Sequence, residues 1–251
     1  FRSGIEKGTF WSPDGQLLAF YRMDESMVGE YPLVDITERE ATVTPIRYPM
    51  AGMASHEVRI GIYNIDSQQV TYLQTSSPID RYFTNIAWSA DNSYLLVAEI
   101  NREQNHMWMN IYNAHNGTLL KTLFEEQNDE WVEPSSPPMF IDNNQFVWLS
   151  ERDGFRHIYL YNINTGKCRQ LTKGQWCVTE LYGHHGDEVF FQANAEGYLT
   201  RDIYKVNLKG HRVRLSQGRG MHYADFGTNG NLFVDNLSAD NHAMLSTLRR
   251  I

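Results

Sequence analysis

The sequence predicts an all-β fold, a β-propeller of four-stranded antiparallel blades, on three observations. Short apolar and aromatic runs alternate with Asp-Gly, Asn-x-x-Gly and Pro-Asp-Gly turns along the whole chain. One phrase, an inner strand, a tight turn and a second strand, returns at Phe10–Tyr21, Ala87–Ala98, Phe140–Trp148, Tyr182–Phe191 and Ala224–Val234. Its later turns recur about every 43 residues, the period of propeller blades. No segment sustains a 3.6-residue apolar period, which excludes a helical solenoid. The reading is one domain over 1–251, holding about five consecutive blades.

The clearest repeat lies at Trp148–Thr172. Phe146–Leu149 ends at the turn around Asp153-Gly154, His157–Tyr161 ends at Asn164-Thr165-Gly166, and Cys168–Leu171 runs outward. Such a meander cannot bury both faces alone and must stack on copies of itself. In the first copy Pro13-Asp14-Gly15 turns the chain into Leu17–Tyr21, and in the second Ala90-Asp91-Asn92 leads to Tyr94–Ala98. Third strands are expected at Val58–Tyr63, Trp108–Tyr112, His157–Tyr161 and Asp202–Val206, each carrying a tyrosine. Fourth strands are expected at Val70–Leu73, Leu119–Leu123, Cys168–Leu171 and Arg212–Leu215.

Two insertions break this rhythm: an arm at about 24–56, within the first blade, and a connection at about 125–138, between the second and third. Long loops on a rigid repeat are where binding usually resides.

Composition bounds the function. A hydrophobic content of 41% supports a sizeable core and argues against disorder. The net charge of -8 argues against a nucleic-acid surface. No apolar run approaches the roughly 20 residues of a membrane helix. Cys168 and Cys177 are read as free thiols, one on an outer strand and one at the start of the next repeat. The chain opens at Phe1 with no Met or signal peptide and is read as an excised segment.

Trp11-Ser-Pro-Asp-Gly15, Tyr21-Arg-Met-Asp-Glu25, Arg47-Tyr-Pro-Met-Ala-Gly52, Ser150–Tyr159 and Gln170–Trp176 occur in that order. The ordered set resembles the N-terminal propeller of dipeptidyl peptidase IV-type serine peptidases. The resemblance implies part of an eight-bladed propeller covering an α/β-hydrolase domain with a Ser-Asp-His triad, the parent enzyme releasing N-terminal dipeptides, often after proline. It also implies an acidic pair that binds the substrate's ammonium group, expected just before Phe1; Glu6 is not put in its place. No Gly-x-Ser-x-Gly elbow occurs, so no catalytic residue is assigned and the segment alone is expected to be inactive. The triad is expected beyond Ile251. No metal or organic cofactor is needed for that chemistry.

By the same resemblance, Asp129–Pro134 matches the loop reaching over the substrate, with Trp131, Val132 and Glu133 as binding candidates. The family's arginine is missing, and Glu133 could meet a substrate amine. The alternative is a plain connection with Trp131 packed inward. The arm resembles one that pairs with a second subunit; Val34, Ile36, Glu38 and Arg39 are its candidate contacts, against the alternative of a solvent hairpin. Implied partners are peptide substrates, the hydrolase domain of the same protein and a second copy. The implied location is periplasmic, secreted or cell-surface. Alternatives are a tripeptidyl or acylaminoacyl peptidase of the same clan, or a non-enzymatic protein-binding propeller.

The remaining polar clusters read as structure. Glu151, Arg152 and Asp153 read as turn and salt-bridge contacts. His184 and His185 are adjacent and point to different sides, which is poor metal geometry. His222, Asp225 and Ser216 do not make a triad by spacing. Asn116-Gly-Thr118 and Asn236-Leu-Ser238 fit a glycosylation pattern that is common by chance.

Overall fold

Every element in the computed structural model is a strand or a turn; it describes residues 7–75, 80–240 and 242–251, and no α-helix occurs among them. Glu6 lies outside the described residues. The chain divides into two compact units, one ending at Glu133 and one beginning at Pro134.

In the first unit, β1 (Thr9–Trp11) and β2 (Leu17–Asp24) precede the arm strands β3 (Glu30–Asp35) and β4 (Thr42–Arg47), followed by β5 (Glu57–Asn64) and β6 (Val70–Tyr72). Then come β7 (Arg81–Trp88), β8 (Tyr94–Asn101), β9 (His106–Asn113) and β10 (Leu119–Gln127). The sheets are β1-β2-β5-β6 and β7-β8-β9-β10, with β3 and β4 as a separate hairpin. All pairs are antiparallel.

The repeated phrase folds the same way twice, because the same side chains close the same turn. Ser12 Oγ donates to Asp14 at 2.6 Å and accepts the Leu17 N–H at 2.9 Å. Ser89 Oγ donates to Asp91 at 2.7 Å and accepts the Tyr94 N–H at 3.0 Å. These hydroxyls hold both carboxyls below the usual carboxylate range. The left-handed position is filled by Gly15 (φ 74°) and by Asn92 (φ 63°), residue types that tolerate it. Between the two sheets lies one core containing Ala19, Ile60, Ile62, Leu95, Val97 and Tyr112.

The second unit holds β11 (Met139–Phe140), β12 (Gln145–Ser150), β13 (His157–Asn162) and β14 (Cys168–Gln170) as one four-stranded sheet. The next sheet is β15 (Val178–His185), β16 (Glu188–Ala193), β17 (Asp202–Asn207) and β18 (Arg212–Arg214). A last sheet has three strands, β19 (Met221–Phe226), β20 (Leu232–Ala239) and β21 (His242–Arg250). Val147, Leu149, Ile158, Val189 and Phe191 share one core; Ile203, Ala224 and Phe233 make a second.

The Asn-rich turn after each third strand now has a physical reason. Asn64, Asn113, Asn162 and Asn207 each end the third strand of a sheet, and their Oδ1 atoms accept backbone N–H groups two or three residues on. This side-chain turn reverses the chain without help from a neighbour.

The fold is thus the expected β-propeller of four-stranded antiparallel blades. Two expectations change. The connection expected from Glu125 starts later, because β9 begins at His106 and offers β10 backbone partners as far as Gln127. The fifth repeat has a third strand, β21, which lacks the tyrosine and Asn turn that marked the others. Cys168 is exposed and Cys177 half-buried, and both are free thiols.

Candidate functional site

Within an antiparallel blade, the connection after the second strand and the connection after the fourth leave from the same end. In the first unit that end carries the arm, the turn between β8 and β9, and the chain after β10. Asn101 builds the turn: its Oδ1 accepts the N–H groups of Asn105 and His106 at 3.0 and 2.9 Å. Gln104 there adopts φ 58°. The following loop rests on this rigid turn through Asn128 N–H to Asn105 O at 3.0 Å and Val132 N–H to Gln104 O at 2.8 Å.

Of the three loop candidates, Val132 is the anchor and half-buried, whereas Trp131 and Glu133 point to solvent. Trp131 is 60% exposed, so it is not packed inward. With Asp129 and Glu130 also exposed, the loop presents an indole among carboxylates. Such a surface can hold an apolar or cationic group by contact and charge, and offers no nucleophile.

The arm candidates lie on the β3–β4 hairpin and its tip. Val34 pairs with Val43 across the hairpin, and both are exposed. Ile36 is 80% exposed at the tip, where Asp35 Oδ1 accepts the Thr37 N–H and hydroxyl at 2.9 and 2.8 Å. Glu38 and Arg39 are exposed beside it. The hairpin base is fastened by Arg47 donating to Val28 O at 2.6 Å and by Tyr48 N–H to Gly29 O at 3.1 Å. The arm is therefore fixed at its root and bare along its length.

The second unit contains a buried polar cluster that sequence spacing did not reveal. His222 and Ser216 belong to it, but Asp225 does not. Asp225 accepts from Asn236 at 3.1 Å instead. His222 Nδ1 donates to Asp235 at 2.7 Å, and Arg249 Nε donates to the same carboxylate at 2.7 Å. Burial acts to raise the Asp235 carboxyl, but its bonds from His222 and Arg249 outweigh that and hold it below the usual range. Asp202 accepts from Arg214 at 2.6 Å and from Ser216 Oγ at 2.9 Å. Ser216 thus gives its proton to a carboxylate rather than to an imidazole, which is not a nucleophile's arrangement. The register pairs His222 with Leu237, one turn of the pleat from Asp235, a relation invisible without the hairpin alignment.

The other polar groups are structural. Glu151 accepts from Arg156 at 2.9 Å, Arg152 lies 4.5 Å from the Tyr159 ring centre, and Asp153 accepts from Gln170 at 2.6 Å. His184 and His185 are exposed at the end of β15. Among the described residues, no group of three or more His, Cys, Asp or Glu gathers in a metal-holding arrangement.

Comparison with known proteins adds to this geometry. Residues 4–244 match the family model described as the dipeptidyl peptidase IV N-terminal region. A Bacteroides ovatus protein described as a dipeptidyl aminopeptidase IV superposes with a TM-score of 0.91 at 40% identity, over 99% of this chain and 39% of that one. Porphyromonas gingivalis dipeptidyl peptidase 4 superposes with a TM-score of 0.86 at 29% identity, over 97% of this chain and 35% of that one. The dipeptidyl-aminopeptidase B assigned in Phaeosphaeria nodorum is 28% identical over 88% of this chain and 28% of its own length. The chain therefore spans between about a quarter and two fifths of these relatives.

Proposed function

The chain belongs to the family of dipeptidyl peptidase IV N-terminal regions, and on that premise we propose that it is the propeller of a serine exopeptidase releasing N-terminal dipeptides, often after proline. The observation that carries the reading is the unbroken family match from residue 4 to residue 244, through both units and the arm. The propeller excludes folded proteins by size, admits short peptides and helps hold their N-terminus. Acylation and deacylation of serine belong to a hydrolase domain of the same protein. The second copy takes the arm as its docking strand pair. The location is periplasmic, secreted or cell-surface.

The test is the full-length protein on chromogenic substrates. A dipeptidyl-proline reporter is expected to turn over, whereas tripeptidyl and N-acylated reporters and the 251-residue chain alone stay silent. Turnover confined to the tripeptidyl or acylated reporter would move the substrate class. No hydrolysis of any reporter would leave a binding propeller.

Within this reading, Trp131 is a substrate contact. Replacing it by alanine in the full-length enzyme is expected to raise KM for peptide substrates roughly fivefold, the scale of one exposed aromatic contact. Thermal stability should hold, because the indole is largely in solvent. An unchanged KM over several substrates would reduce the loop to a connection between blades.

A further inference from the structure

The outer seam between the β11–β14 and β15–β18 sheets gathers cations that neighbouring carboxylates leave largely unneutralised. Strand register puts them together. Arg169 of β14 pairs with Leu160, and Arg212 and Arg214 of β18 pair with Val206 and Tyr204. Directly opposed residues share a face of a sheet, and Leu160, Val206 and Tyr204 all belong to the core that these two sheets share. The three guanidiniums therefore stand on the facing sides of both sheets, at the rim where that core ends. The sheets touch there: Arg169 donates to the Leu208 carbonyl in the turn between β17 and β18. Arg212 lies 4.6 Å from the Trp176 ring centre and 4.9 Å from that of Tyr204.

Of the three arginines only Arg214 meets a carboxylate, that of Asp202 at 2.6 Å. Lys167 and Lys173 bracket β14 and Lys209 sits in the turn before β18; all three are exposed, with no carboxylate partner among the described residues. Residues 165–173 and 207–214 contain no Asp or Glu, in a chain of net charge -8. Protection of a sheet edge does not call for this. Charges on outer strands discourage strand pairing, but β6 carries none and β10 mixes Lys121 with Glu125 and Glu126. Like charges gathered on one seam repel one another, and a counter-charge from outside removes that cost.

We propose that this seam is an electrostatic docking surface for an anionic lipid membrane, its ammonium and guanidinium groups meeting the phosphate headgroups. Two observations favour that partner over other anions. A single phosphate is held best in a cradle of free backbone N–H groups, and the turn beside the seam has none to give. The N–H groups of Lys209 and His211 go to Asn207 Oδ1, and that of Gly210 goes to Asn207 O. A single-stranded nucleic acid needs bare aromatic faces for its bases, and those here are taken: Tyr204 is buried and Trp176 carries the Arg212 guanidinium. A surface of many headgroups asks only for cations spread over an exposed face. Each Lys or Arg that reaches such a surface adds a similar increment, and salt screens the sum.

The experiment is co-sedimentation of the full-length protein with phosphatidylcholine vesicles that contain about 30% phosphatidylglycerol, at low salt. Partitioning is expected to exceed that onto pure phosphatidylcholine by about tenfold or more. It should vanish at about 0.5 M salt, where the Debye length shrinks to roughly 4 Å. The triple variant Lys167→Gln, Lys173→Gln, Lys209→Gln changes exposed side chains only, so its melting temperature should match the wild type while its partitioning falls about tenfold or more. Removing the same charge elsewhere, with Lys7→Gln, Arg59→Gln and Arg250→Gln, should leave partitioning within about twofold. Equal losses in the two triple variants, or no preference for anionic vesicles, would overturn the docking surface. Release by inorganic phosphate at constant ionic strength would make the seam a single-anion site, and tighter retention of a single-stranded oligonucleotide would make it a nucleic-acid surface; either result overturns the membrane as partner.

Discussion

Replacing Glu99 by alanine is expected to destabilise the first unit more than any other single polar substitution in it. Glu99 is fully buried in the middle of the second sheet, bonded to Arg81 of β7 and to the Tyr112 hydroxyl of β9. Arg81 is itself almost wholly covered. Breaking a buried pair from one side costs about 3–5 kcal/mol, because the remaining group keeps its desolvation penalty and loses the Glu99 carboxylate. Tyr112 also loses Glu99 as an acceptor; burial first, and then that carboxylate, hold its hydroxyl protonated far above the ordinary tyrosine range. A loss of this size lowers the melting temperature by about 10 °C or more in a chain of this length. The control is Asp80→Ala, which removes the exposed pair with Arg102 at 2.8 Å and should shift stability by less than about 0.5 kcal/mol. Equal melting temperatures for the two variants would show that Glu99 is carried by other contacts.

What made this network hard to see in the sequence also explains which parts were easy. Strand positions and turns depend on local chemistry: Ser12 and Asp14, or Asn113 and Gly117, close their turns with atoms a few residues apart. They were legible as repeats. Glu99 and Arg81 are 18 residues apart and Asp235 and His222 are 13 apart, on paired strands whose register decides whether they meet. A register slip of one residue would turn each to the other face. Asp225 is the aspartate closest to His222 in sequence, but the hairpin alignment brings Asp235 to its ring. Val132 anchoring the loop is likewise a backbone event: its N–H meets the Gln104 carbonyl, and no side-chain pattern announces it. β21 carries no such signal: it lacks the tyrosine and Asn turn that mark the other third strands, and its Met244, Leu245 and Leu248 are exposed.

Deleting residues 30–44 from the full-length protein is expected to convert a dimer into a monomer, halving the mass seen by light scattering. The argument begins with the hairpin itself. A two-stranded hairpin alone is marginal in water, and this one carries Leu33, Val34, Ile36 and Val43 in solvent. Its root is held by Arg47 and Tyr48, which fixes its direction without covering its apolar side chains. Its free edges offer unpaired N–H and C=O groups, and a second copy of the same arm can meet them in a symmetric, isologous contact. The cut removes almost no buried side chain, since every residue of β3 and five of the six in β4 are exposed. Stability of the two units should therefore change little, and a change in mass would report the interface rather than unfolding. The charged tip gives a milder version: Ile36→Asp, which leaves the backbone intact, should weaken association and leave the melting temperature of the dissociated chain as it was. An unchanged mass in the deletion variant would return the arm to a solvent hairpin. A lowered mass in both variants would make Ile36 part of the contact and the arm its frame.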